Sequence, residues 1–224
     1  MKEYVLLTGA GGTLAKELIK DLNKKNCTVI GVSSQVITDD KNIYINLNLM
    51  DNGSVKELFE VLKKKELFPN KIIHNLGGKI KGDEHPLSYD VLESTLKLNL
   101  GIAVEINSYF INKALEKDKK LNILHVSSDC ALNGKASPAY SSIKSAINAY
   151  VKSTARKYIL NNIILCSVLP GKFCKDIECV DNNMDLPLGR YLKASEISSF
   201  IVDIISSNNV IYTGNTFLID GSKN

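Results

Sequence analysis

Short apolar runs alternate with longer amphipathic segments along nearly the whole chain. Runs such as 4–8, 27–32, 71–74 and 162–169 have the length and apolar content of buried strands, and most segments between such runs have helical spacing. Strands that alternate with helices pair in parallel, because each helix returns the chain to the edge where the next strand begins. The sequence therefore predicts a three-layer α/β fold with helices on both faces of a doubly wound parallel sheet.

One connection is too short to contain a helix. Only about ten residues separate the strand at 27–32 from the next strand, at 42–48, whereas a helix with two loops needs more. We therefore expect the second crossover helix to be shortened or absent.

Composition limits the classes of protein that this chain can belong to. Its 224 residues, 44% of them hydrophobic, suit one well-buried domain over 1–224. The apolar run at the amino terminus is too short for a signal-peptide core, and no run approaches the roughly 18 residues of a membrane span. The lysines behind the net charge of +4 cluster near predicted helix ends, which favours solvated surfaces over nucleic-acid binding.

The cysteines are odd in number, scattered, and include no C-x-x-C pair. This pattern predicts reduced thiols in a cytoplasmic protein, with neither a disulfide framework nor a metal site. The five residues are Cys27, Cys130, Cys166, Cys174 and Cys179.

A glycine-rich turn follows the first predicted strand and precedes a helix from about Leu14 to Lys24. Glycines permit a close approach to a phosphate, and the first amides of a helix can bind phosphate oxygens. A turn in this setting indicates a dinucleotide site. Its candidate contacts are Gly9, Gly11, Gly12, Thr13 and Leu14.

A tyrosine and a lysine four residues apart follow a strand that ends in two serines. Tyr140 and Lys144 share one face of a predicted helix, and Ser127 and Ser128 end the strand at 123–126. A nearby ammonium group favours the phenolate, so we expect Lys144 to lower the pKa of Tyr140 and make it a usable general acid or base. An amphipathic helix with an ordinary exposed lysine is the alternative for Y-x-x-x-K alone.

Together these motifs resemble the short-chain dehydrogenase/reductase family, in its single-domain main subgroup, which implies a Rossmann-type fold. The resemblance covers nearly the whole chain, from Thr8-Gly9 to the carboxyl-terminal Y-T-G-N and D-G. It implies an NAD(P)(H)-dependent oxidoreductase that interconverts a carbonyl and a secondary alcohol on a small molecule. Thr13 and Ala15 stand where the main subgroup has further glycines, which is a departure from the pattern.

The resemblance also implies roles for four side chains. Tyr140 is the expected general acid or base, and Ser128, or alternatively Ser127, holds the substrate oxygen. Lys144 is expected to lower the pKa of Tyr140 and to bind the nicotinamide ribose. Asn99, in Leu98-Asn99-Leu100-Gly101, is expected to hold a water that relays protons to Lys144; a buried amide bonded to nearby backbone is the alternative.

The cofactor contacts beyond the glycine turn come from the ends of other strands. Ser33 and Ser34 stand where an acidic residue would bind the ribose of NAD, so the sequence slightly favours NADP(H) over NAD(H), with Lys16 as a candidate counter-charge. The remaining expected contacts are Asn48, Leu49, Asn75, Gly77, Tyr140, Lys144, Pro170 and Gly171. His74 is interpreted as a packed strand-end histidine.

The substrate pocket is expected to draw on the polar loop after Gly171 and on residues 79–87, segments in which the family varies. The polar segment 172–186 is predicted to be a substrate loop. Members of the family commonly pair through the helices that bear Asn99 and Tyr140, which implies a homodimer or homotetramer. The altered glycine turn leaves open a degenerate nucleotide-binding regulatory or scaffold protein. Reduction of a carrier-bound acyl chain, with Lys172 or Arg190 facing an acidic carrier, is a further alternative.

Overall fold

A computed structural model describes residues 3–175, 186–207 and 209–222. Seven parallel strands form one sheet in the order β3-β2-β1-β4-β5-β6-β9, and two further strands, β7 and β8, pair separately. The strands are β1 (Glu3–Thr8), β2 (Cys27–Ser33), β3 (Ile43–Asn46), β4 (Lys71–His74), β5 (Leu121–Val126), β6 (Ile163–Pro170), β7 (Phe173–Cys174), β8 (Leu192–Lys193) and β9 (Thr216–Ile219). The expected doubly wound parallel sheet is confirmed.

Helices cover both faces of this sheet. They are α1 (Thr13–Lys24), α2 (Ser54–Lys64), α3 (Tyr89–Leu96), α4 (Ile102–Glu116), α5 (Cys130–Asn133), α6 (Pro138–Tyr158) and α7 (Ala194–Ser206). One apolar core packs α2, α4 and α6 against the sheet, and a second core packs α1 and α7 against the other face. The three expected layers are therefore present, and apolar burial on both faces is what holds them together.

No helix lies between β2 and β3, as the short spacing predicted. Residues 34–42 form an irregular connection in which the Asn42 side chain accepts a hydrogen bond from the Val29 N–H at 2.9 Å. The Asp39 carboxylate accepts one from the Tyr44 hydroxyl at 2.6 Å. Side chains of the loop and of β3 thus fasten a connection that has no helix to pack it against the sheet.

The helical segment that carries Asn99 is interrupted. α3 ends at Leu96, a π-helical turn spans Lys97–Gly101, and α4 continues from Ile102. A π-turn inserts one extra residue into the helix, and such insertions are frequent at functional sites. This one contains Asn99, whose side chain is buried.

Three cysteines agree with the sequence expectation and one does not. Cys27, Cys130 and Cys166 are buried free thiols, whereas Cys174 is disulfide-bonded. The expectation of reduced thiols is therefore wrong for Cys174, because pairing depends on the distance between two sulfurs in the fold and not on a C-x-x-C spacing. Cys179 lies outside the described residues.

Two further properties concern only the part of the chain that the structure describes. None of its helices is both long enough and apolar enough to cross a bilayer. Its His, Cys, Asp and Glu side chains form no group of three or more that could hold a metal ion.

Candidate active site

The glycine turn after β1 is bound to the end of β4. The Asn75 side-chain amide donates to the carbonyl of Gly9 at 3.1 Å, and Thr8 Oγ1 accepts from the backbone N–H groups of Asn75 and Leu76, each at 3.2 Å. Gly9 has a φ of +67°, and a Cβ there would lie 2.9 Å from Leu76 Cα. Glycine at this position thus allows two neighbouring strand ends to meet.

This turn forms one wall of a cleft at the carboxyl ends of the strands. A Cβ on Gly11 would lie 3.1 Å from both Ser33 Oγ and the Gln35 side-chain oxygen, so the missing side chain keeps the cleft open. The cleft is lined by Gly9, Gly11, Gly12, Val32, Ser33, Ser34, Gln35, Leu47, Asn48, Leu49, Asn75, Leu76 and Gly77. Its backbone amides and small residues fit a dinucleotide phosphate and ribose.

The end of β2 presents hydroxyl and amide groups to this cleft. Ser33 Oγ accepts a hydrogen bond from the backbone N–H of Gln35 at 3.0 Å. Asn48 is occupied by its own turn, since its Oδ1 accepts from the Met50 N–H at 3.2 Å and its Nδ2 donates to Asp51 at 2.8 Å. None of the described residues that line this cleft is a carboxylate.

A second cleft of about 470 Å³ joins the first at Asn75 and Gly77. It is lined by Leu14, Asn75, Gly77, Lys79, Val126, Ser127, Ser128, Asp129, Cys130, Asn133, Lys135, Ala136, Tyr140, Lys144, Pro170, Gly171, Lys172 and Phe173. Thr13 lines an adjoining recess beside Leu14 and Phe173. These clefts therefore bring together the predicted residues of the glycine turn, the two strand-end serines, the catalytic helix and the Pro170-Gly171 pair.

Helix α6 holds Tyr140 and Lys144 on its inner face. The Lys144 ammonium lies 5.3 Å from the centre of the Tyr140 ring and donates to the carbonyl of Val126 at 2.9 Å. The two serines differ in their partners. Ser127 is buried and its hydroxyl donates to the backbone carbonyl of Lys144 at 3.0 Å. Ser128 lines the cleft with Tyr140, and its hydroxyl donates to Asp129 Oδ1 at 3.1 Å and accepts from the Cys130 N–H at 3.3 Å.

The pKa of Tyr140 differs from the sequence expectation. Burial raises the pKa of Tyr140 to about 12, and the neighbouring Cys130 and Asp129 act in the same direction, while Ser128 opposes them. The net shift is therefore opposite in direction to the lowered pKa that the sequence predicts. Removal of the phenol from water is its largest cause.

Lys144 is almost completely buried, and burial shifts its pKa as well, in the direction that disfavours the charged form. Burial lowers the pKa of Lys144 to about 8. Its ammonium group retains one backbone carbonyl, that of Val126, as a hydrogen-bond acceptor. Lys144 is therefore mostly protonated at neutral pH and loses its proton in mildly alkaline solution.

Asn99 stands across Gly77 from Lys144. Its side-chain oxygen accepts from the Gly78 N–H at 3.0 Å, and its amide nitrogen donates to the carbonyls of Gly78 at 2.9 Å and Thr95 at 3.1 Å. A Cβ on Gly77 would lie 2.7 Å from Asn99 Oδ1 and 3.3 Å from Lys144 Nζ. The absence of a side chain on Gly77 therefore allows both Asn99 and Lys144 to approach it closely.

His74 lies beneath the site and belongs to a buried polar network. Its Nε2 lies 2.7 Å from Asn107 Oδ1, and the amide nitrogen of Asn107 lies 3.0 Å from His125 Nε2 and 3.2 Å from the Tyr150 hydroxyl. Burial lowers the pKa of His74 to about 4, so it is neutral. These contacts agree with the interpretation of His74 as a packed residue.

Several cleft residues were missed from the sequence. They are Gln35, Leu47, Leu76, Asp129 and Lys135. Gln35 and Asp129 directly follow the predicted pairs Ser33-Ser34 and Ser127-Ser128, so adjacency could have suggested them. The predicted substrate loop, 172–186, lies mostly outside the described residues, which stop at 175 and resume at 186.

Comparisons with known proteins agree with this geometry. A family model for short chain dehydrogenases matches residues 3–182. The 3-oxoacyl-(acyl-carrier-protein) reductase FabG of Buchnera aphidicola subsp. Acyrthosiphon pisum is 25% identical over 241 residues, which cover 98% of this chain and 96% of that protein.

Solved structures share the fold over the full length. A short chain dehydrogenase from Leptospira borgpetersenii with bound NAD+ has a TM-score of 0.86 and 22% identity, covering 100% of this chain and 93% of that one. ElxO with NADP bound has a TM-score of 0.86 and 19% identity, covering 100% and 99%. With a family model that spans most of its length, the chain belongs to the short-chain dehydrogenase family of oxidoreductases.

Proposed function

We propose that this oxidoreductase interconverts a small-molecule carbonyl and a secondary alcohol with Tyr140 as its general acid or base. The observation that carries the proposal is the meeting of Tyr140, Ser128 and Lys144 in one cleft with Gly77 and the Pro170-Gly171 pair. A proton donor and a second hydroxyl converge there on a space continuous with the dinucleotide cleft.

The nicotinamide cofactor supplies the hydride when it is bound. In the reductive direction the Tyr140 hydroxyl donates its proton to the carbonyl oxygen, and a pKa of about 12 keeps that proton in place at neutral pH. The Ser128 hydroxyl donates a hydrogen bond to the same oxygen and stabilises the negative charge that develops on it. In the oxidative direction Tyr140 must first lose its own proton, and the resulting phenolate then takes the alcohol proton.

Lys144 and Asn99 complete the proposed machinery. The buried ammonium of Lys144 lies beside the Tyr140 ring and would bind the nicotinamide ribose. Asn99 would hold the water that passes protons to Lys144, and its position directly across Gly77 supports this role. Its side chain also fixes Gly78 by two hydrogen bonds, so both interpretations of Asn99 from the sequence can hold at once.

NADP(H) is the preferred cofactor in this proposal. The part of the dinucleotide cleft formed by Ser33, Ser34 and Gln35 has hydroxyl and amide groups and no carboxylate. A carboxylate there would repel the additional phosphate of NADP, and its absence removes that penalty. The preference is slight, because no arginine lines this cleft to bind that phosphate, and NAD(H) is the alternative cofactor.

The substrate is proposed to be free in solution and not tethered to an acidic carrier. Arg190 is paired with Glu196 through two contacts of 2.9 and 2.6 Å. The ammonium of Lys172 lies 4.5 Å from the centre of the Tyr191 ring. Both candidate carrier contacts are therefore already engaged. We also propose a cytoplasmic homodimer or homotetramer.

Titration of the purified protein with NADPH and NADH, followed by nicotinamide fluorescence, tests the proposal first. We expect both cofactors to bind, NADPH more tightly. We also expect turnover of some members of a panel of small ketones and aldehydes, and a turnover rate lower by several orders of magnitude in Tyr140→Phe. Tighter binding of NADH would refute the cofactor preference alone. Failure to bind either cofactor would favour a degenerate scaffold protein instead.

A further inference from the structure

One carboxylate from a distant loop holds the first turn of the catalytic helix. Asp83 lies between β4 and α3, and its two oxygens accept hydrogen bonds from the Ser137 hydroxyl at 2.7 Å and from the N–H groups of Ala139 at 2.8 Å and Tyr140 at 2.9 Å. The last of these donors is the backbone of the proposed acid itself.

Helix α6 has no cap of its own that could replace these contacts. Its N-cap residue, Ser137, makes no capping hydrogen bond with its side chain, and its first turn contains no acidic residue. The first N–H groups of a helix have no partners within the helix and carry partial positive charge, so a carboxylate placed there satisfies them and stabilises the turn. Asp83 supplies this contact from more than fifty positions earlier in the chain.

The same loop is fastened to the other side of the site. At its start, Gly78 is held by two hydrogen bonds with the Asn99 side chain. At Asp83 it is held to α6. One short segment therefore connects the π-turn, which contains Asn99, to the helix turn that contains Tyr140.

We infer that Asp83 is a positioning residue, which fixes the first turn of α6 and through it the place of the Tyr140 hydroxyl relative to Ser128. The inference rests on the proposed role of Tyr140. A proton donor must stand within hydrogen-bonding distance of the substrate oxygen, and an error of about 1 Å in such a placement can cost about a hundredfold in rate.

The charge state of Asp83 is consistent with this role. Burial works to raise its pKa, but the hydrogen bonds from Ser137, Ala139 and Tyr140, with the nearby Lys79, outweigh burial and hold the pKa below its ordinary value. Asp83 is therefore an anion at neutral pH and keeps all its oxygen lone pairs available as acceptors.

The test compares Asp83→Ala and Asp83→Asn with a matched control, Ser88→Ala. Ser88 lies in the same loop and caps a different helix, α3, by accepting from the Val91 N–H at 3.4 Å. Each variant is measured for cofactor affinity, kcat, the primary isotope effect with deuterated nicotinamide cofactor, Tm, and hydrogen exchange of peptides covering 137–142.

We expect Asp83→Ala to lower kcat about ten- to a hundredfold, to raise the isotope effect, and to increase exchange in 137–142, with cofactor affinity within about twofold of wild type. Asp83→Asn keeps one acceptor oxygen, so its kcat, isotope effect and exchange should lie between those of the wild type and those of Asp83→Ala. Ser88→Ala should lower Tm while kcat stays within about twofold.

Increased exchange without a change in kcat or isotope effect would overturn the inference and leave Asp83 as a structural cap only. Unchanged exchange would overturn it as well. Absence of turnover in the wild type would instead refute the proposed function, and the exchange measurement, which needs no substrate, would report separately on the cap.

Discussion

At the scale of single residues, Ser127 and Ser128 have different surroundings although they are neighbours in the chain. Ser127 ties the end of β5 to α6 through the carbonyl of Lys144. Ser128 hydrogen-bonds instead with the Asp129 carboxylate and the Cys130 N–H, in the cleft that Tyr140 also lines. Both serines line this cleft, so their burial and their hydrogen-bond partners are what distinguish them.

Separate alanine substitutions of these serines should give different defects. Ser128→Ala removes a donor to the developing oxyanion, and we expect kcat to fall by about a hundredfold or more with cofactor affinity unchanged. Ser127→Ala removes a buried hydrogen bond and should cost about 1–3 kcal/mol of unfolding free energy. Steady-state kinetics and urea unfolding of both variants measure this, and a greater loss of kcat in Ser127→Ala would reverse the assignment.

The reductive reaction should lose rate in mildly alkaline solution because of Lys144. Burial lowers the pKa of Lys144 to about 8, whereas that of Tyr140 is about 12, so the lysine loses its proton first as the pH rises. We expect kcat/KM for reduction to be level below pH 8 and to fall above it.

The control for this pH profile is Lys144→Arg, whose guanidinium stays charged throughout. We expect this variant to be slower than the wild type at every pH, with a kcat/KM that does not decline between pH 8 and 10. A decline at the same pH in both proteins would assign the titration to another group.

At the scale of elements, three segments meet at Gly77 with no room to spare. They are the end of β4, the π-turn that carries Asn99, and the face of α6 that carries Lys144. Asn99 cannot move aside easily, because three hydrogen bonds to backbone groups hold its side chain. The separation of these elements therefore depends on the absence of a Cβ at this position.

Gly77→Ala should force this junction apart. A Cβ 2.7 Å from Asn99 Oδ1 requires a shift of the side chain or the strand, and overpacking of this kind typically costs about 1–3 kcal/mol. We expect a loss of unfolding free energy in that range together with a lower kcat. Gly101→Ala is the matched control, since its Cβ would meet its nearest atom, the Leu96 carbonyl oxygen, at an ordinary 3.6 Å. Equal unfolding free energies in the two variants would contradict this account.

The sequence predicted the elements well and their mutual contacts poorly. Apolar runs located β4 at 71–74 as observed and β2 at 27–32 to within one residue, because burial of a run on both faces of a sheet is a local property. The π-turn, the cap from Asp83 and the pKa of Tyr140 depend on groups far apart in the chain. Spacing along the sequence carries no measure of those distances or of burial.

At the scale of the whole molecule, the sheet buries two histidines at its centre. His74 on β4 and His125 on β5 have ring centres 4.6 Å apart, and Asn107 contacts both. Burial lowers the pKa of His74 to about 4 and that of His125 well below its ordinary value, with the charges of His74 and Lys144 adding to the effect on His125. In the folded protein these two histidines therefore stay neutral at pH values at which the unfolded chain would protonate them.

This exclusion makes stability depend on pH in a defined window. An unfolded histidine binds a proton near pH 6.5, whereas folded His74 does so only near pH 4. Between these values the unfolded chain binds more protons, so the unfolding free energy rises with pH across the window and falls as acid is added. For His74 alone the full difference corresponds to about 3 kcal/mol.

Urea unfolding from pH 4.5 to 7.5 measures this dependence, and replacement of both buried histidines by asparagine should flatten it. His85→Asn is the control, because His85 lies exposed in the β4–α3 loop and should leave the slope unchanged. The carboxylates with lowered pKa, such as Glu196 at about 2, also lose stabilisation in acid, but below the ordinary carboxylate pKa near 4.5. A slope above pH 5 that survives the double replacement would show that groups other than these two histidines control the acid stability of the sheet.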